Sequence, residues 1–154
     1  MTFRGGLVAA TMAVMLGCSD PAPPAPSIEG VAPASLRGTT WRVAAVNGQL
    51  PNRAAIPFIS FEGDLVQGNG GCNSVFGQYT YDGAGGLDIM ELGSTLILCE
   101  ARVSEFEARL MSALDQASRA LIVHDQLVLL GRGVVIVLDP TVGGHPGGGP
   151  ASSA

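Results

Sequence analysis

The sequence predicts an α+β domain in which a curled antiparallel β-sheet, or open barrel, packs around one amphipathic α-helix. Three observations carry this. Short alternating or apolar stretches recur between Gly, Asn and Asp turn signals, as successive antiparallel strands require. One later segment instead repeats its apolar residues at helical spacing. A final pair of strand-like stretches then follows across short turns, which closes a mixed architecture of strands, one helix and a hairpin.

The elements follow in order. Residues 40–46 (TWRVAAV) alternate and run into Asn47-Gly48, a hairpin turn signal. Residues 56–61 read as a strand whose Pro57 marks an edge or a start. Residues 64–68 are its expected hairpin partner across Glu62-Gly63. Residues 78–81 alternate up to Asp82-Gly83, and residues 86–91 form the next strand. Residues 94–99 (STLILC) make a continuous apolar run, the pattern of a strand buried on both faces.

The helical segment opens with Ser104-Glu105-Phe106-Glu107, which has the form of a capping box. Phe106, Leu110, Leu114, Ala117 and Leu121 then fall on one face, with Glu105, Arg109, Ser112 and Asp115 on the other. A helix lying on a membrane would want more positive charge, so this stripe is expected to face a core. Residues 121–123 and 127–130 flank a turn at His124-Asp125, and Gly131-Arg132-Gly133 leads into residues 134–138.

This places one folded domain over residues 36–140, of a size typical for a single core. The flanks differ in kind. Arg4 and the short apolar run 5–16 end in Met15-Leu16-Gly17-Cys18, which resembles a bacterial lipoprotein signal. That resemblance implies removal of residues 1–17 and acylation of Cys18, although Met15 stands where such signals usually have leucine. Several acyl chains on one residue would hold the chain on a membrane, at about 0.8 kcal/mol per buried methylene. Ser19 after the cysteine implies export to the outer membrane. Residues 18–35 are read as the acylated cysteine and a stiff proline-rich linker, with Pro21 to Pro26 (PAPPAP) as spacer. Residues 141–154, rich in Gly and Pro, are read as a disordered tail, and His145 within it as no ligand.

Composition excludes several functions. The chain has 154 residues, a formal charge of −5 and a pI near 4.8, which argues against a nucleic-acid partner. All eight of its basic side chains are arginine, so lysine Schiff-base chemistry and a Walker A loop are absent. Two cysteines besides Cys18 and one histidine in the domain, His124, are too few and too scattered for a zinc signature.

The stretch Gly70-Gly71-Cys72-Asn73-Ser74-Val75-Phe76-Gly77-Gln78-Tyr79 sets the main question, because its cysteine fits a nucleophile, a metal ligand, a disulfide half or core filling. Trp41, then Gly71-Cys72-Asn73, Gly77 and Tyr79, then Ser94-Thr95 and Cys99, then the helix, together resemble the META domain (HslJ-like) family over about residues 36–139. Ile97-Leu98 depart from the Met-Ala usual in that family before the second cysteine. The resemblance implies an open antiparallel barrel with a packed helix, and a setting in envelope stress or antibiotic tolerance. It implies no catalytic residue. At the level of fold it extends to lipoprotein pilots that escort secretins.

In an exported domain, paired cysteines tend to bridge, so Cys72 and Cys99 are assigned a structural role, bridged or simply buried. A reactive thiolate would need a cation, histidine or helix N-terminus beside it, and no such partner can be named. Asn73 is expected to satisfy turn backbone, and Glu62 and Asp64 to be solvated turn acids. Tyr79 and Tyr81 share a strand face and are expected to pack across strands. Gly68-Asn69-Gly70-Gly71 has the composition of an anion-binding nest but lacks a following helix and lysine.

The resulting expectation is a lipid-anchored, non-catalytic binding or scaffold module at the outer membrane, facing the periplasm. It needs no cofactor or metal, and its partner is an envelope protein or peptide. Two alternatives are a thiol-based redox or hydrolytic enzyme using Cys72, and a pilot-like lipoprotein that holds a partner peptide inside the barrel.

Overall fold

The computed structural model describes residues 28–141. Its elements are β1 (Thr39–Val46), β2 (Phe58–Glu62), β3 (Leu65–Asn69), β4 (Ser74–Tyr81), β5 (Leu87–Ser94), α1 (Ala101–Gln116), β6 (Ala117–Val123), β7 (Gln126–Gly131) and β8 (Val134–Pro140). The eight strands form one sheet in the order β5-β4-β3-β2-β1-β8-β7-β6, with every paired neighbour antiparallel. The sheet curls until its two edge strands nearly meet, and Gly86 bridges Arg119 across the seam. The predicted α+β fold is the observed one.

Turn chemistry sets the hairpins. Asn47-Gly48 and His124-Asp125 both take positive φ at their two residues, as tight turns between twisted strands demand. Between Phe76 and Gln78 the β4–β5 register shifts, and Gly77 sits at that bulge. A Cβ on Gly77 would stand 2.9 Å from the Met90 carbonyl oxygen, so the strands can approach only without one.

The register sorts the loops to two ends. Gly63-Asp64, Asp82–Gly86 and His124-Asp125 lie at one end, together with both ends of the described chain. Asn47-Gly48, residues 70–73, residues 95–100 and Arg132-Gly133 lie at the other, which α1 closes. Phe106, Leu110, Ala113 and Leu114 of α1 enter the core beside Trp41, Ile59, Phe61, Leu129 and Ile136 from the strands. The inside of the barrel is therefore filled with side chains. Trp41 is fully buried and its indole N–H donates to Thr39 Oγ1 at 2.8 Å, which removes the cost of burying that donor.

Residues 28–35, assigned to the linker from sequence, include a segment that lies on the seam. Val31 exchanges two backbone hydrogen bonds with Ile122, of 3.0 and 2.7 Å, and the Pro33 carbonyl accepts from the Tyr81 hydroxyl.

Three local expectations are corrected. Residues 94–99 are not a buried strand: β5 ends at Ser94, and Leu96, Ile97 and Leu98 are 96%, 61% and 99% exposed. The chain has to leave the sheet here to reach α1 across the end of the barrel, and β5 is an edge strand bridged to β6 only near its start, at Gly86. The capping box does not form either. The helix begins at Ala101 behind Glu100, so Ser104 lies within it and donates its N–H to the Glu100 carbonyl. Ala117 and Leu121 belong to β6, because the helix stops at Gln116 where the chain re-enters the sheet. Strand ends elsewhere differ by a few residues, most at β4 and β5, where glycines interrupt the alternation.

Candidate functional site

The motif residues converge at the helix-covered end of the barrel. β3 delivers Asn69, the loop 70–73 crosses to β4, residues 95–99 leave β5, and α1 passes behind them. Asn69 shapes the loop by accepting the Gly71 N–H on its Oδ1 at 2.7 Å. Gly71 takes φ of 122°, which favours glycine, and Val103 of α1 lies 3.2 Å from where its Cβ would be, so any side chain there would also have to push Val103 aside.

This conformation turns the next two N–H groups toward α1, where Glu107 receives them. Its Oε2 accepts from Asn73 N at 2.8 Å and Cys72 N at 3.3 Å, and its Oε1 accepts from the Asn73 side-chain amide at 2.7 Å. Both residues are buried, Asn73 at 5% and Glu107 at 7% exposure. The anion-binding nest that the sequence reading set aside at Gly68–Gly71 has a counterpart one step on, where the Cys72 and Asn73 N–H groups meet a carboxylate of the same chain. Asn73 does more than satisfy a turn. Its Oδ1 also accepts from the Ile97 N–H at 2.6 Å and the Thr95 hydroxyl at 2.9 Å. Thr95 Oγ1 in turn accepts the Ser74 N–H at 3.1 Å.

Cys72 and Cys99 are joined in a disulfide with Cα atoms 6.4 Å apart. Both are half-buried. The bridge, Asn73 and Glu107 together fasten the 70–73 loop, the 95–99 segment and α1 to one another. The remaining motif residues stand apart. Trp41 and Tyr79 are core, and the Tyr79 ring meets Phe61 edge-on with centroids 4.9 Å apart. Burial, opposed by Arg37, raises the Tyr79 pKa. Ser94 ends β5 opposite Val75.

Glu107 is the residue that the sequence reading placed wrongly. The available signal was its position: 103, 107, 110 and 114 share a helical face, so an acid stood inside the apolar stripe. Cys18, Pro21 to Pro26 and His145 lie outside the described residues. Asp64 pairs with Arg37 at 2.6 Å on the surface, and Glu62 is exposed. Among the described residues no cluster of His, Cys, Asp or Glu has the makings of a metal site, no buried side-chain polar atom lacks a partner, and no helix is long and apolar enough to cross a membrane. A cleft of about 670 Å³ lies at the opposite end, between residues 34–37 and β4, lined by Arg37, Asp64, Gln78, Tyr81 and Met90 among others.

The family model for the META domain matches residues 34–141. An NMR structure of a protein from Burkholderia xenovorans is similar at 22% identity and a TM-score of 0.62, covering 80% of this chain and 97% of its own. A second NMR structure is similar at 21% identity and a TM-score of 0.59, covering 71% of this chain and 95% of its own. At these identities the likeness is one of fold. No curated protein matches the chain.

Proposed function

The chain belongs to the META domain family, and from that premise we propose that it is a membrane-anchored, non-catalytic binding or scaffold module of the cell envelope, acting in envelope stress or antibiotic tolerance. One observation carries the non-catalytic half. The polar groups of the motif are spent on each other: Glu107 accepts three N–H groups, Asn73 is saturated, and the Cys72 sulfur is held by Cys99. A sulfur in a disulfide is not a thiolate, and a carboxylate so engaged has little left to accept a substrate proton.

The anchoring half rests on the sequence around Cys18, with Ser19 favouring the outer membrane. The fold is compatible with it, since the chain enters at the end of the barrel away from α1. A partner peptide would dock outside, because Trp41, Phe61, Leu110 and Leu114 fill the interior.

Intact mass of the protein extracted from membranes, with and without reductant before alkylation, tests the proposal. A lipid adduct on Cys18 and no alkylation until reduction is the expected result. Rapid alkylation of Cys72 in the native, unreduced protein would overturn the non-catalytic reading, and an unmodified Cys18 would overturn the anchor.

A further inference from the structure

Residues 93–99 are held in a manner that core packing does not explain. The segment carries on beyond β5 with its inner side paired: Thr95 N–H donates to the Ser74 carbonyl, and Ile97 bonds through both N–H and C=O to the Asn73 side chain. Asn73 stands just before β4, so its amide extends the β4–β5 ladder where the backbones part. Leu96 and Leu98 fall in the alternate positions. Among the described residues their backbone groups make no hydrogen bond, and their side chains are 96% and 99% exposed. A buried asparagine, a buried glutamate and a disulfide thus fix two leucines in water.

We propose that this segment is a homotypic contact, at which a second copy of the chain adds antiparallel to the open edge. Natural edge strands are usually guarded by charge, proline or a bulge. The run Gly93-Ser94-Thr95-Leu96-Ile97-Leu98-Cys99 has neither charge nor proline. Antiparallel pairing centred on Ile97 is self-complementary, as a two-fold contact must be. It sets Leu96 against Leu98 of the second copy, and the acidic Glu100 against uncharged Ser94. Three side chains and a short ladder fall below the roughly 800 Å² per partner of a standard interface, so the dimer is weak and concentration-dependent.

The test is sedimentation equilibrium of residues 18–154 carrying Cys18→Ser, so that neither the apolar run 5–16 nor an acyl group contributes, from about 1 µM to about 1 mM, the range of a weak association. A monomer–dimer equilibrium is expected, weakened at least about tenfold by Leu96→Asp or Leu98→Asp, since the contact would bury an unpaired charge. Leu50→Asp, at another exposed leucine (76%), should leave it unchanged. Unfolding midpoints of the variants should match the parent, because the replaced side chains touch solvent. Monomer throughout the range, or a dimer indifferent to both substitutions, overturns the proposal. So does a monomer that binds phosphatidylcholine vesicles through Leu96 and Leu98, which would assign the leucines to lipid. The Cys18 anchor plays no part, so this result and the membrane-extract mass stand or fall separately.

Discussion

Glu107 on the helix holds Asn73 by two bonds at once, one to its backbone N–H at 2.8 Å and one to its side-chain amide at 2.7 Å. This links the only helix among the described residues to the loop that carries Cys72, across 34 residues of sequence.

Glu107→Gln is therefore not conservative. It places an NH₂ where one of three N–H donors now ends, leaving a buried donor facing a donor. The expected loss is about 1–3 kcal/mol in urea unfolding. A loss below about 0.5 kcal/mol, the ordinary level for surface changes, would show that the junction contributes little.

Asn73→Asp brings a second carboxylate against Glu107. Like charges at this distance raise the pKa of one of them. The sign follows: the variant should be less stable than the parent at pH 7, and the deficit should shrink as pH falls and one carboxyl takes a proton. Parallel denaturation at pH 7 and pH 5 measures it, and a deficit that grows toward pH 5 contradicts the geometry.

Reducing the Cys72–Cys99 bridge opens a loop of sequence separation 27. Chain entropy alone makes this worth about 3.5 kcal/mol. Guanidinium unfolding with and without reductant should show that difference, and Cys72→Ala should match the reduced parent. Equal midpoints with and without reductant would mean that the bridge adds no stability.

Asp139 on β8 accepts from Arg42 of β1 at 2.7 Å and from Gln126 of β7 at 2.7 Å, and these bonds, Arg42 first, hold its carboxyl below the ordinary range. A depressed carboxyl stabilises the fold above its unfolded pKa, near 3.9, and that contribution is lost as pH falls through the lower folded value. Asp139→Asn should remove this part of the acid dependence while changing little below that range. Arg42 is half exposed, so the effect is small and screened by salt. Indistinguishable acid-unfolding curves for parent and variant would refute the assignment.

The strand signals were legible because alternation and turn residues are local. Asn47-Gly48 and His124-Asp125 mark hairpins by their own chemistry, and Leu110 and Leu114 mark the helix face by spacing. The misreadings share a cause. An apolar run such as 95–98 looks buried unless one knows that β5 is an edge, and edge position depends on where the sheet stops curling. Glu107 looked like a cap because Ser104 stands at the right distance, whereas its real partners are supplied by a loop brought near only by the tertiary fold. Periodicity shows which residues share a face, but not what that face meets.

The clasp between Val31 and Ile122 has a mechanical consequence. Tension applied through the chain ahead of Ile28 reaches those two hydrogen bonds before it reaches any strand of the barrel. They form one isolated bridge, whereas the strands behind it are held by ladders of several pairs. Load applied from that side would meet the clasp as a fuse, ahead of the folded body.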